Sequence, residues 1–157
     1  MEHLNELQVK LLDMLKWFHE FCVANNLTYY LSCGTMLGAA RDQGIIPWDN
    51  DVDVMMPRED LKKLEVLMAE QKGRYVLETP ASPAKDYCYT WPKLFDTETT
   101  VIENTKYKTK RGIFIDVFPL DGIGNDEEDA KAHWKKIRRT YKLFNCNVLG
   151  ISKKTKN

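Results

Sequence analysis

The sequence predicts an α/β (α+β) fold in which helices flank a small mixed sheet. Apolar residues recur at steps of three and four from Leu4 to Cys22, which is the spacing of one helix face. Short runs of β-branched and aromatic residues lie between turn residues, as they do in strands. These two kinds of segment alternate along 157 residues, a length that suits one domain over residues 1–157.

Apolar periodicity and stop signals predict helices from Leu4 to Asn25, from Gly34 to Arg41, from Pro57 past Leu67, and from Asp126 to Val148. Strand formers predict strands at 27–33, 74–79, 87–96, 99–104 and 111–120, an acidic strand that ends near Met56, and a basic connection at 107–111. The last helix combines an apolar stripe with a basic outer face. Such a face is normally solvated, and contact with an anionic membrane is the alternative.

Composition and charge exclude several classes of protein. Lysine plus arginine and aspartate plus glutamate number 23 each, so the balanced charge argues against nucleic acid as a partner. The four cysteines have no metal-ligand or framework spacing, which indicates reduced thiols in a cytoplasmic protein. We expect neither a signal peptide nor a transmembrane segment, because no apolar run is long enough.

Asp49, Asp51 and Asp53 alternate with other residues, so an extended strand would place all three carboxylates on one face. Successive side chains on that face would lie ~6–7 Å apart. Like charges at this spacing call for a cation, and carboxylate oxygens suit a hard divalent ion. The spacing therefore predicts a metal site on a rigid element. A calcium loop of the EF-hand type is disfavoured, since its sixth position is Val54 rather than glycine.

A fourth acid, Asp116, lies inside the otherwise apolar strand at 111–120. A lone carboxylate there is costly unless it binds a cation or forms an ion pair, for which Arg41 and Lys93 are the candidates. Gly34-Thr35 opens a short helix, whose free N–H groups suit phosphate. Three acids beside that turn can hold one or two Mg²⁺ (or Mn²⁺) ions, which is the equipment for transfer at phosphorus.

Two runs of residues carry a resemblance to a known family. The first extends from Tyr30 to Arg41 and continues from Gly44 to Val54, and the second extends from Gly112 to Gly122. Both resemble signature blocks of the LicD family, which is similar to the nucleotidyltransferase superfamily and includes fukutin and fukutin-related protein. The resemblance covers roughly residues 27–122, and most members are longer than this chain.

The resemblance implies a nucleotidyltransferase-like fold and a phosphotransferase activity. Members resembling this chain move a phospho-alcohol such as phosphocholine from a CDP carrier, CDP-choline or another CDP-alcohol. The acceptor is a hydroxyl of a surface glycan of the lipopolysaccharide, teichoic acid or capsule type, which can be lipid-linked. Asp51 and Asp53 correspond to the metal-binding pair, with Asp116 joining them, and Gly34 and Thr35 correspond to the donor-phosphate turn. The implied location is the cytoplasm, with the inner face of the membrane as an alternative.

Several residues keep two interpretations. Asp49 is either a fourth metal ligand or a solvated residue at the start of the strand. Trp48 is expected to line a pocket or the core, with stacking on a substrate as the alternative. Arg41 and Lys93 are candidate phosphate ligands, or else residues of the surface and of a strand flank. Two other functions also stay open, transfer of a nucleoside monophosphate and a non-catalytic module of glycan biosynthesis.

Overall fold

The computed structural model describes residues 4–82, 87, 89–102 and 110–148, with backbone only at 102, 110 and 144–148. These residues fall into two compact units. One lies within Met1–Val101 and Lys110–Leu120, and the other within Ile102–Thr109 and Asp121–Asn157. The expectation of a single domain over residues 1–157 stays a prediction.

The predicted fold class is confirmed, because the described residues combine helices with a five-stranded mixed sheet. The helices are α1 (Glu6–Ala24), α2 (Cys33–Arg41), α3 (Arg58–Glu70) and α4 (Glu127–Val148). The strands are β1 (Tyr30–Leu31), β2 (Asp53–Pro57), β3 (Tyr75–Glu78), β4 (Lys93–Asp96), β5 (Val101–Ile102), β6 (Lys110–Arg111) and β7 (Phe114–Leu120). The large sheet has the order β1-β2-β7-β4-β3, and β5 pairs with β6 in a small separate sheet.

The register of the large sheet brings three charged residues into one row. Strands β2 and β7 are parallel and pair Asp53 with Asp116. Strands β4 and β7 are antiparallel and pair Lys93 with the same Asp116. Residues that are partners across neighbouring strands point to the same face of a sheet, so Asp53, Asp116 and Lys93 form a row across its three central strands.

The hydrophobic core follows the predicted periodicities. On α1 the buried side chains are Leu11, Met14, Phe18 and Cys22, spaced three and four apart. On β2 and β7 the buried apolar residues alternate, as Val54 and Met56 do on β2. Helix α3 adds Leu61, Leu64 and Met68 to the same core. The sheet is therefore anchored by packing on one face, which fixes the charged row in place.

The acidic strand begins later than predicted, at Asp53 instead of Asp49. Strand β1 pairs Leu31 with Val54 and then gives way to α2, so no strand on that side continues past Asp53. Asp49 and Asp51 therefore lie in a loop, and the prediction of one extended face for all three acids is wrong. Of the proposed metal ligands, Asp51 therefore lies in the loop, whereas Asp53 is the first residue of β2.

Other boundaries also differ from the predictions. The strand predicted at 87–96 is confined to β4, and the basic connection contributes strand β6 at Lys110–Arg111. Part of the strand predicted at 99–104 lies outside the described residues, as does most of the connection. Helix α4 forms as predicted, but the large apolar side chains of its stripe that the structure describes are exposed, Trp134 by 57% and Tyr141 by 46%. Among the described helices, none combines the length and the apolar character needed to cross a membrane.

Candidate active site

Three carboxylates converge at the edge where β2 and β7 begin. Asp51, Asp53 and Asp116 each place one oxygen within 4.8 Å of the others. Asp53 and Asp116 are brought together by strand register, and Asp51 reaches them from the preceding loop. Two oxygens that share a cation at 2.0–2.6 Å lie up to about 5 Å apart, so the three can hold one ion between them.

Asp116 is the most firmly held of the three acids. Its Oδ1 atom accepts a hydrogen bond from Trp91 Nε1 at 2.6 Å and lies 3.0 Å from Lys93 Nζ. The side chains of Lys93 and Asp116 are only 3% and 8% exposed. Of the two ion-pair partners considered for Asp116, Lys93 is therefore the observed one, and Arg41 is not.

Lys93 Nζ is also enclosed by aromatic rings. It lies 3.4 Å from the centroid of the Phe114 ring and 4.1 Å from that of Tyr89. A desolvated ammonium over ring faces is stabilised by the ring quadrupoles. Trp91 and Tyr89 were not identified from the sequence, although the aromatic run before β4 was a signal. The structure places Lys93 as the counter-ion of Asp116, and its role as a phosphate ligand stays a prediction.

Asp51 and Asp53 have carboxyl groups whose pKa values are raised. Burial, followed by the neighbouring charge of Asp53, raises the pKa of Asp51 to about 6. Burial and then the charge of Asp116 raise the pKa of Asp53 above its ordinary value. Both shifts mean that negative charge is disfavoured here until a cation arrives.

The Gly34-Thr35 turn lies at the start of α2, as predicted, and is tied to the acids. Thr35 Oγ1 accepts a hydrogen bond from the backbone N–H of Asp53 at 2.9 Å, so α2 fixes the first residue of β2. A Cβ atom built on Gly34 would lie 2.6 Å from Oδ2 of Asp49. The carboxylate of Asp49 thus covers Gly34, at the position where phosphate was expected. The phosphate role of Gly34 and Thr35 stays a prediction.

A buried glutamine, which the sequence analysis did not identify, holds the loop before the acids. The Nε2 group of Gln8 donates to the carbonyl oxygens of Ile46, Pro47 and Asp49 at 3.0–3.2 Å. Its Oε1 accepts from the backbone of Asn5 in the capping box of α1. Helix α1 therefore positions the loop through one side chain whose polar atoms are all engaged.

Trp48 projects from a turn in this loop. The turn is closed by the N–H of Asp49, which donates to the carbonyl of Ile46 at 2.9 Å, with Pro47 and Trp48 between them. Trp48 is 79% exposed, so the interpretation of it as a core residue is wrong.

Gly38 of α2 allows the loop to approach the helix, because a Cβ there would lie 2.6 Å from the carbonyl oxygen of Gly44.

A cavity of about 930 Å³ lies beside the acids, between α1, α2 and this loop. Its wall is mainly apolar and includes Leu12, Leu15 and Trp48, while Thr35 and Asp51 bring it to the acid cluster. The predicted substrate residues Arg41 and Trp48 line it together, although Arg41 is engaged with Asp42 through hydrogen bonds of 2.8 and 2.7 Å.

Comparison with known proteins agrees with this arrangement. The sequence model of the LicD/FKTN/FKRP nucleotidyltransferase domain matches residues 26–152. The chain is 34% identical over 137 residues to the lipopolysaccharide cholinephosphotransferase LicD of Haemophilus influenzae, covering 87% of this chain and 51% of that protein. It is 30% identical over 97 residues to human ribitol 5-phosphate transferase FKRP, covering 62% of the chain and 17% of that protein.

A yeast relative extends the comparison. The mannosyltransferase regulator 4 of Saccharomyces cerevisiae is 36% identical over 75 residues, which is 48% of this chain and 6% of that protein. The chain thus spans about half the length of the Haemophilus protein and smaller shares of the other two. Because the family's sequence model covers most of the chain, including every residue of the acid cluster, the chain belongs to the LicD/FKTN/FKRP nucleotidyltransferase domain family.

Proposed function

We propose that the protein transfers phosphocholine from a CDP-linked donor to a hydroxyl of a cell-surface glycan, with Mg²⁺ as cofactor. The observation that carries this proposal is the convergence of the Asp51, Asp53 and Asp116 carboxylates. The relatives named for cholinephosphate and ribitol phosphate transfer support the class of reaction. The family match supports a nucleotide-linked donor.

The chemistry of the cluster fits Mg²⁺. All three donors are carboxylate oxygens, which Mg²⁺ prefers, and Mn²⁺ accepts the same ligands. The raised pKa values of Asp51 and Asp53 support a cation at this position, because a divalent charge would relieve the repulsion. When bound, the ion would neutralise donor phosphate charge and polarise the phosphorus centre.

The proposed reaction assigns separate tasks to the residues of the chain. Asp51, Asp53 and Asp116 hold the ion, with Lys93 and Trp91 fixing Asp116. The acceptor hydroxyl forms a new oxygen–phosphorus bond, the bond to CMP breaks, and CMP leaves. The proton of the hydroxyl passes to one of the site carboxylates. Catalysis here is mostly positioning and charge stabilisation, as in other phosphoryl transfers.

The donor phosphates are proposed to lie over the start of α2, beside Gly34 and Thr35. The helix start there offers free N–H groups, which favour anions. Donor binding would have to move the Asp49 carboxylate, which covers Gly34. The proposed location is the cytoplasm, with the acceptor presented at the membrane.

The proposal is tested by incubating the protein with CDP-choline, CDP-ribitol, CTP or ATP in the presence of Mg²⁺. Thermal melting reports binding, and chromatography reports release of CMP or pyrophosphate. We expect a Mg²⁺-dependent melting shift with CDP-choline and CMP release on addition of a glycan acceptor. Pyrophosphate release from CTP would instead indicate nucleotidyl transfer. No Mg²⁺-dependent shift with any compound would indicate a non-catalytic module.

A further inference from the structure

We propose that the cavity beside the acid cluster binds the quaternary ammonium group of the donor, with the ring of Trp48 and the carboxylate of Asp49 as the recognising groups. This inference rests on the proposed function and names the residues that would select the alcohol. The supporting observations are the charge of the cavity wall, the exposure of Trp48 and the rigidity of the loop that carries it.

The charge of the wall favours a cationic ligand. Four charged residues line the cavity, the guanidinium of Arg41 and the carboxylates of Asp42, Asp49 and Asp51. Arg41 is neutralised by its paired hydrogen bonds with Asp42. If Asp51 holds the metal ion, Asp49 is the remaining acid of the cavity wall, and it forms no ion pair within the described part of the chain.

The apolar part of the wall argues against a polyol. Leucines of α1 and the ring of Trp48 offer few hydrogen-bond partners, and hydroxyl groups placed against them would lose their bonds to water. A trimethylammonium group has no hydrogen to donate. It therefore leaves no hydrogen-bond donor unpaired against an aromatic face, and it is attracted to the negative face of the ring.

Trp48 is exposed yet attached to a fixed backbone. Its side chain is 79% exposed, which leaves the ring available to a ligand. The carbonyl groups on both sides of it, those of Pro47 and Asp49, accept hydrogen bonds from the buried side chain of Gln8. A ring on a preorganised turn binds a ligand without the cost of ordering a loop.

The cavity adjoins the acid cluster, where the proposed reaction takes place. Asp51 belongs both to the cavity wall and to the acid cluster. An alcohol in the cavity would therefore be next to the ion that holds its phosphate. The volume of about 930 Å³ leaves ample room for a choline group, whose recognition depends on charge and aromatic contact.

The experiment compares CDP-choline with its neutral isostere, in which the nitrogen is replaced by carbon (CDP-3,3-dimethylbutanol). Calorimetric titrations with Mg²⁺ measure the affinities of the wild-type chain, Trp48→Leu and Asp49→Asn. The matched control is Trp134→Leu, which removes another exposed tryptophan from α4, outside the cavity wall. Thermal melting confirms that each variant is folded, which we expect because Trp48 is exposed.

We expect the wild type and Trp134→Leu to prefer CDP-choline by about tenfold, the preference that a partly desolvated cation–π contact provides. Trp48→Leu should bring this preference close to one, and Asp49→Asn should reduce it. Titration with CMP alone should give the same affinity in the wild type, Trp48→Leu and Trp134→Leu. Asp49→Asn is not compared in this titration, because the carboxylate of Asp49 covers the proposed phosphate position. A preference that survives in Trp48→Leu would overturn the inference, as would a loss of CMP affinity, which would place the nucleobase on the ring.

The inference and the proposed function can fail separately. A preference for the cation that depends on Trp48, found without any CMP release in the presence of acceptor, would support the cavity and contradict the transferase. CMP release from CDP-choline with a preference unaffected by Trp48→Leu would support the transferase and contradict the cavity.

Discussion

Asp116 and Asp51 belong to one cluster, yet their surroundings are opposite. Asp116 lies on a central strand, paired with Lys93 and hydrogen-bonded to Trp91. Asp51 lies in a loop, where burial and then the neighbouring carboxylates raise its pKa to about 6. The first acid has a counter-ion supplied by the fold, whereas the second has other acids as its charged neighbours.

This difference divides the site into a strand half, formed by Asp53, Asp116 and Lys93, and a loop half, which contains Asp51. The β2–β7–β4 row is set by backbone pairing, and two of its residues, Lys93 and Asp116, form an ion pair. The loop half carries charge that burial disfavours. Metal binding should therefore change the loop half more than the strand half, and four measurements test this.

The largest effect is expected from Asp53→Asn, which removes a charge where the two halves meet. We expect transfer to fall at least about 100-fold, since even an outer partner of a metal ligand is worth 10–100-fold. The fold should persist, and the metal-free melting temperature should rise because repulsion is relieved. Turnover near that of the wild type at saturating Mg²⁺ would contradict the metal assignment.

Lys93→Met tests the strand half of the site. Without Lys93, Asp116 would be a buried carboxylate with no cation, so we expect a loss of about 3–5 kcal/mol in unfolding free energy. Denaturant unfolding measures it. The control is Lys63→Met, because Lys63 is exposed where it pairs with Asp60, so its loss should cost far less than the loss of Lys93. Equal costs for the two variants would show that Asp116 does not depend on Lys93.

Gln8→Met tests how the loop half of the site is held in place. Three loop carbonyls would lose their donor, and we expect a cost of about 1–3 kcal/mol together with weaker donor binding. Asn5→Ala is the matched control. It removes the helix cap, worth about 1 kcal/mol, without touching the loop. Donor affinity should fall only in Gln8→Met, and a similar fall in both would assign the effect to α1 as a whole.

The smallest effect is the pH dependence of the metal-free protein. Because the pKa of Asp51 is raised in the folded state, its contribution to stability is complete below about pH 4 and is lost as pH rises through about 6. We expect stability to fall by on the order of 1 kcal/mol between pH 5 and 7.5, after allowance for solvent screening. The slope should become shallower with Mg²⁺ or in Asp51→Asn, and Asp53, whose pKa is also raised, accounts for what remains in that variant. A slope unchanged by both would contradict the assignment.

Sequence reasoning succeeded where a residue's role follows from its neighbours in the chain. The periodicity of Leu11, Met14 and Phe18 fixed α1 and its buried face. The contrast of Asp116 with its apolar neighbours indicated a buried charge that needs a cation, and Lys93 was one of two partners considered.

It failed where the role depends on distant contacts. The alternation of Asp49, Asp51 and Asp53 suggested a strand, but strand pairing stops at Asp53 because α2 replaces β1 there. Gln8 lies on the apolar face of α1, and only its contacts about forty positions away reveal its role. Trp91 likewise acquires its function from a hydrogen bond to Asp116 across the sheet.

The hydrogen bonds from Gln8 to the loop carbonyls bear on where this domain should be considered to start. The family's sequence model begins at residue 26, after the whole of α1. A protein shortened to the matched region would retain all four acids but would lose the amide that holds the loop of Asp49 and Trp48. The family's sequence model therefore covers less than the part of the chain that shapes the site, because the side chain that holds this loop belongs to a helix outside the matched residues.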